Sequence, residues 1–225
     1  MTIDYRRVSQ LIQKDWQLHE KMIAAYVGGG ILGLAIVGLP HIYAFYMGLI
    51  ILLTVIAAAG FHGITLTIVN EKKNQTLPFI MSLPVRPAEY TLAKLAANVL
   101  MFFIPWFTTF VGLIFLTLTT DIPNGILAFF ILIGIQLVAN YALVLGTVIV
   151  TESEGWFIVV MVLVNLALNP FIMLLAQNPQ FNQHFDSPSF AWNATATGIV
   201  SIQLAVTVLA LLYALVRQSR RLTFI

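Results

Sequence analysis

The sequence predicts an all-α integral membrane protein. Six transmembrane helices are expected, with an N-terminal interfacial helix ahead of them and a helical cytoplasmic loop between the second and third spans. Three observations carry that expectation. Of 225 residues, 60% are hydrophobic and only 9% are charged, with a mean hydropathy of +0.93. A soluble domain has about a quarter of its residues charged. Six apolar runs, at 22–40, 42–69, 95–120, 124–150, 156–176 and 195–216, each approach or exceed the ~20 residues a helix needs to cross a bilayer. The basic residues then obey a strict pattern. Arg6, Arg7, Lys14 and Lys21 precede the first run, Lys72, Lys73, Arg86 and Lys94 lie between the second and third, and Arg217, Arg220 and Arg221 follow the sixth, which accounts for all 11. An even number of spans puts these groups on one face, which the positive-inside rule assigns to the cytoplasm. The other face offers only Asp121 and Asp186. The expected location is the cell (plasma or inner) membrane, multi-pass, with both termini cytoplasmic.

Taken in order, residues 1–21 come first. In "DYRRVSQLIQKDWQLHEKM" the apolar residues Tyr5, Val8, Leu11, Ile12, Trp16 and Met22 recur near helical spacing, while Arg6, Arg7, Gln13, Lys14 and Gln17 fill the opposite face. This pattern predicts a helix lying in the membrane interface, its basic flank on anionic headgroups, before the chain turns into the first span. A cleavable signal peptide is not expected, because its charged region would be short and its apolar run 7 to 15 residues. Spans 1 and 2 occupy 22–70. Within the first, Ala25, Gly29 and Gly33 stand four apart, a spacing that lets two membrane helices approach closely, within the subunit or at a dimer seam. Spans 3 and 4 fill 95–150, a short cytoplasmic turn 151–155, and the fifth span 156–176, which Asn169 and Pro170 interrupt. An outer loop over 177–194, the sixth span at 195–216 and a tail at 217–225 complete a single transmembrane domain. Trp156 near one boundary and Tyr43, Tyr46 and Trp192 near the other fit aromatic belts.

The loop at 71–94 is unlike a plain connector. Leu77, Phe79, Ile80, Met81 and Leu83 form an apolar patch flanked by Glu71, Lys72 and Lys73 before and by Arg86 and Glu89 after. Pro84 ends one helix and Pro87 suits the first turn of the next, so a short helix, a break and a second helix are expected. Apolar side chains on a cytoplasmic loop make a docking surface.

These residues resemble the corresponding loop of ABC type-2 permeases, the membrane subunits of ABC exporters. The family shows an acidic residue leaving the second span, a Gly-Thr-Leu-like element, Leu-Pro-Val-Ser-Arg, a Glu soon after, and a Lys opening the third span. The matching positions are Glu71, Thr76, Leu77, Leu83, Pro84, Val85, Glu89 and Lys94. The chain departs from the pattern at Gln75, where Gly is usual, and at Arg86-Pro87, which replaces Ser-Arg and removes the favoured hydroxyl N-cap. The N-terminal "KDW" and the six spans extend the likeness over the whole chain. The resemblance implies a coupling helix, involving Glu71, Thr76, Leu77, Phe79, Ile80, Leu83, Pro84, Arg86, Glu89 and Lys94, that sits in a groove of a separate ATPase subunit present in two copies per complex. It further implies a second permease copy, or a related permease, to complete the pore. No G-x-x-x-x-G-K-[ST] occurs in the chain, so ATP and Mg²⁺ are expected in the ATPase partner and no cofactor or metal in this one. Glu152 and Glu154 in "TESEG" offer a subsidiary contact to the ATPase or to the loop's own basic residues.

Polar residues at membrane depth are candidates for a substrate path: His62, the pair Gln136 and Asn140, and the pair Asn165 and Asn169, each pair four apart on one helix face. The competing reading is interhelical hydrogen bonding, worth about 0.6 kcal/mol apiece. Gly28, Gly30 and Gly33 spell G-x-G-x-x-G, but no strand precedes them, so nucleotide binding is not expected. The segment after the fifth span, "NPFIMLLAQNPQFNQHFDSPSFAWN", resembles the family's re-entrant outer helices. An enzyme is not expected: His19, His41, His62 and His184 are scattered, and neither H-E-x-x-H nor G-x-S-x-G occurs. An ion-coupled secondary transporter or channel is the alternative. The absence of charge from every span core argues against it. The sequence thus points to one half of an exporter for a hydrophobic or amphipathic compound (peptide, antibiotic or lipid-like), bound to the bilayer and an ATPase and not to nucleic acid.

Overall fold

The computed structural model describes residues 4–74 and 87–219, and among these the chain is helical with no strand. Six helices are long and apolar enough to cross a membrane, so the chain is a multi-pass helical membrane protein. They are α1 (Tyr5–Val37), α2 (Ile42–Ile64) with its continuation, α4 (Pro87–Thr119), α5 (Leu127–Thr151), α6 (Glu154–Gln177) and α8 (Ala194–Ser219). The first short helix, α3 (Asn70–Lys73), extends α2 through a π-helical stretch at Thr65–Val69; the second, α7 (Pro179–Asn182), follows α6. The centre of the bundle is α5, which buries Leu132, Val144 and Leu145 completely and is flanked by α2, α4, α6 and α8.

The N-terminal segment differs from the sequence expectation. No turn separates residues 1–21 from the first span: α1 runs unbroken from Tyr5 to Val37, with Asp4 as its N-cap accepting from the Arg6 N–H at 3.0 Å. The stretch "WQLHEKMIAAY" holds no Gly or Pro, and a change in composition alone does not break a helix. At 1.5 Å per residue the 33 residues of α1 and of α4 are each about 50 Å long, against a hydrocarbon core of about 30 Å. Both therefore project beyond the core at the end where α1 begins. Just inside that end they pack together through Ile23, Ala97 and Met101.

Two further boundaries are corrected. Asn169 and Pro170 do not interrupt the fifth span, because α6 continues through both to Gln177. The likeness to re-entrant helices over 177–194 is not realised either. That segment holds only the four-residue α7, with Pro179 at its start and Asn178 as its cap, followed by turns. It lies across the end of the bundle. The Gly125 N–H donates to the Ser187 carbonyl at 2.9 Å, Phe181 is buried, and Phe185 meets Phe129 edge-on at 5.2 Å.

Small residues set the closest approach. A Cβ on Gly33 would meet Leu52 of α2, and one on Gly29 would meet Val55 at 3.3 Å, so these two glycines form a packing face within the subunit. Ala25 is exposed and does not belong to it. A close backbone approach that the sequence pattern did not mark lies at Gly48. A Cβ on Gly48 would stand 2.7 Å from the Val37 backbone nitrogen and 3.0 Å from the Gly33 carbonyl oxygen. Backbone cannot swing away as a side chain does. Gly48→Ala is expected to lose about 1–3 kcal/mol by overpacking, read as a lowered unfolding temperature in detergent. Gly28→Ala, with nothing within 4 Å of the new methyl, is the control and should be neutral or slightly stabilising.

Candidate functional site

At the end where α1 begins, four charged side chains from three elements converge. Lys94 of α4 donates from Nζ to Asp15 Oδ2 of α1 at 2.8 Å and to Glu71 Oε1 of α3 at 2.7 Å. Lys14 lies 3.0 Å from Asp15 Oδ1 and 3.0 Å from the same Glu71 oxygen. The Tyr90 hydroxyl donates to Glu71 Oε2 at 2.8 Å. Two ammonium groups thus balance two carboxylates, and the side chains of Lys94 and Asp15 are only 4% and 2% exposed. Such a cluster is sustained only when nearly every charge has its partner, since desolvation costs several kcal/mol per ion.

Local sequence explains the convergence. Asp15 sits seven residues after buried Val8 on the inward stripe of α1. Lys94 shares a face of α4 with Ala97 and Met101, which are also buried. The π-helical stretch supplies the rest. One extra residue per turn rotates everything beyond it by about 100°, and this stretch leads directly into Glu71. Its Thr67 is locked in place, donating to the Gly63 carbonyl at 2.8 Å and pairing with Asn98, whose amide also reaches the Lys94 carbonyl at 2.9 Å.

Glu71 and Tyr90 lie outside the apolar runs of 42–69 and 95–120. Burial opposes the charged form of Glu71, and Lys94, then Lys14, outweigh it and hold the carboxyl below its ordinary value of 4.5. Burial, followed by the Glu71 charge, raises the Tyr90 phenol far above its ordinary value, so it remains a donor. The depressed Glu71 value means that its stabilising contribution is present above the ordinary glutamate range and is lost as pH falls through the lowered value. Unfolding temperature should accordingly drop on acidification below the ordinary value of 4.5, and less so in Glu71→Gln.

A second set of contacts ties the same region to the turn between α5 and α6. Lys72 Nζ donates to the Glu152 carbonyl at 2.7 Å and lies 3.6 Å from its carboxylate, and Lys73 is 3.7 Å from Glu154. Glu152 takes a left-handed conformation, φ 50°, as the C-cap of α5. A non-glycine residue is uncommon there, and the Lys72 bond to its carbonyl helps to fix it. Between these groups lies a cavity of about 250 Å³ walled by Val69, Val148 and Ile149 and rimmed by Lys72, Tyr90 and Glu152.

Of the sequence-derived coupling residues, Glu71 and Lys94 are bonded to each other. Glu89 is buried nearby and accepts from the Asp4 N–H at 3.0 Å, and Glu152 and Glu154 face the basic residues of α3. Thr76, Leu77, Phe79, Ile80, Leu83, Pro84 and Arg86 lie outside the described residues. Lys14 and Asp15 stand in the family-like "KDW", but neither they nor Tyr90 were expected to be site residues. The available signal was an acidic residue occupying an inward position of an otherwise apolar stripe.

Of the membrane-depth candidates, Gln136 and Asn140 meet directly and Asn140 shares a small cavity wall with Asn165, while His62 and Asn169 stand apart from that bonded group. Gln203 of α8 donates to the Leu132 carbonyl at 3.1 Å and to Gln136 Oε1 at 2.9 Å; Gln136 donates to Asn140 at 2.8 Å, and Asn140 to the Val164 carbonyl of α6 at 3.3 Å. This chain of bonds joins α5, α6 and α8, which favours the helix-packing role. Asn165 and Asn169 are exposed, Asn165 bonding back to Met161, and His62 is exposed beside the Tyr26 hydroxyl at 3.1 Å. Gln203→Leu should lower stability by only about 1 kcal/mol, measured by unfolding in detergent. Among the described residues, no group of His, Cys, Asp or Glu is placed to hold a metal ion. No family model, curated protein or solved structure gives a significant match to this chain.

Proposed function

We propose that the chain is the permease subunit of an ABC type-2 exporter, one half of a pathway for a hydrophobic or amphipathic compound, driven by a separate ATPase. The main support is the ion cluster. It bonds α3, just before residues 75–86, to α1 and to the first turns of α4, just after them, and Lys72 and Lys73 add the α5–α6 turn. A segment that transmits force from a partner must be anchored at both ends, and here Lys94 supplies buried ion pairs to Asp15 and Glu71, to which Lys72 and Lys73 add exposed ones. The basic end is then cytoplasmic. Exposed Tyr5, Trp16 and Leu18 on the first half of α1 suit headgroup depth.

The ion-coupled alternative gains one observation, since Lys94, Asp15 and Glu71 are buried charges of the kind carriers use. Their near-complete mutual pairing at the ends of helices fits an anchor better than a titrating relay. Purification of the chain from its native membrane in mild detergent, with mass spectrometry of the co-purified proteins, tests the proposal. A P-loop ATPase at one copy per permease is the expected result. Recovery of the chain alone after cross-linking before solubilisation, with transport that follows an ion gradient, would establish the carrier instead.

A further inference from the structure

Two cavities at the end opposite the ion cluster meet along a shared wall. The inner one, about 420 Å³, is enclosed by α2, α4, α5 and α6 and lined almost wholly by apolar side chains such as Leu49, Leu53, Phe110, Ile133 and Ile172. The outer one, about 500 Å³, opens at the bundle end and carries His41, Thr120, Asp121 and Asp186. Phe45, Tyr46, Ile126 and Phe185 line both. The shape is that of an apolar slot with a polar mouth.

Each part restricts the occupant. The inner volume lies within the ~300–1,000 Å³ of ligand pockets. Along α2 the slot runs from Phe45 to Ile56, about 16 Å at 1.5 Å per residue, which matches half of a ~30 Å hydrocarbon core. Water does not fill an apolar cavity of this kind. One alkyl chain spanning a single leaflet does. At the mouth, Asp121 and Asp186 come from separate segments, one before α5 and the other after α7. Neither has a hydrogen-bond or ion-pair partner among the described residues, and every described lysine and arginine lies towards the opposite end. An anionic or phosphate-bearing head would meet two uncompensated carboxylates. A cationic head is attracted by both.

We infer that this composite cavity binds a cationic amphiphile, with one alkyl chain in the slot and an ammonium group between Asp121 and Asp186. As cargo, this ligand deepens the exporter reading and rests on it. Binding itself needs no ATPase, so a missing ATPase and a missing ligand site would appear in different experiments.

The test uses the full chain in phosphatidylcholine nanodiscs with a long-chain primary amine bearing a photoreactive diazirine in its tail. The same tail ending in a carboxylate is the comparison, and labelled peptides are located by mass spectrometry. Saturable labelling within 126–137 is expected, about fivefold stronger for the amine than for the carboxylate. Asp121→Asn with Asp186→Asn, both at exposed positions, should remove that preference, and Leu53→Trp, which fills the slot, should remove the labelling. Equal labelling by the two probes, an unchanged preference in the double variant, or labelling that survives Leu53→Trp would each overturn the assignment. Excess unlabelled phosphatidylethanolamine should not compete; competition by it would identify the slot as an ordinary lipid site.

Discussion

Lys94→Met should destabilise the protein by about 3–5 kcal/mol, the cost of leaving buried charge without its partner. The substitution keeps the volume of the side chain and removes the buried one of the two ammonium groups that touch both Asp15 and Glu71, at 2.8 and 2.7 Å. Asp15, 2% exposed, then depends on Lys14 alone, whose own side chain is 38% exposed. Thermal unfolding of the purified protein measures the loss. Lys14→Met should cost far less, under about 1 kcal/mol, because solvent screens that group. Adding Asp15→Leu to Lys94→Met removes one of the two stranded carboxylates and should restore part of the stability, which a merely misfolded variant would not do. A Lys94→Met loss no greater than that of Lys14→Met would show that the cluster does not anchor the three helices.

The second large effect falls on residues 75–86. Phe79→Asp with Ile80→Asp should reduce transport to background while the protein remains inserted and the ATPase continues to hydrolyse ATP. Two large apolar side chains buried at an interface contribute about 4 kcal/mol together, so their loss corresponds to roughly a thousandfold weaker docking. Transport by the double variant at the wild-type rate would remove the coupling assignment from this loop.

The six long helices were legible because their apolar runs are long and their basic residues all fall between or beyond them. Helix continuity was less so. A switch from amphipathic to apolar at Met22 looked like a boundary, yet nothing in the residues around it breaks a helix, and α1 passes through. Pro170 looked like a break, but a proline removes one hydrogen bond and α6 continues through it to Gln177. Glu71 and Lys94 were found through the loop they flank. Asp15 escaped because its buried partner Lys94 is 79 positions away in the chain, and because Glu71, which shares Lys94 and Lys14 with it, follows the π-helical stretch at Thr65–Val69, for which no sequence signal was read. Glu152 and Glu154 were expected to contact either the ATPase or the loop's basic residues, and in the structure they lie beside Lys72 and Lys73.

The most direct measurement is site-specific photo-cross-linking in native membranes, with a photoreactive amino acid in place of Phe79 and, as control, in place of Leu209, an exposed residue of α8. An adduct from position 79, absent from position 209, whose partner carries a G-x-x-x-x-G-K-[ST] motif is the expected result. No adduct at 79, or the same adducts at both positions, would contradict an exporter permease that docks an ATPase through this loop.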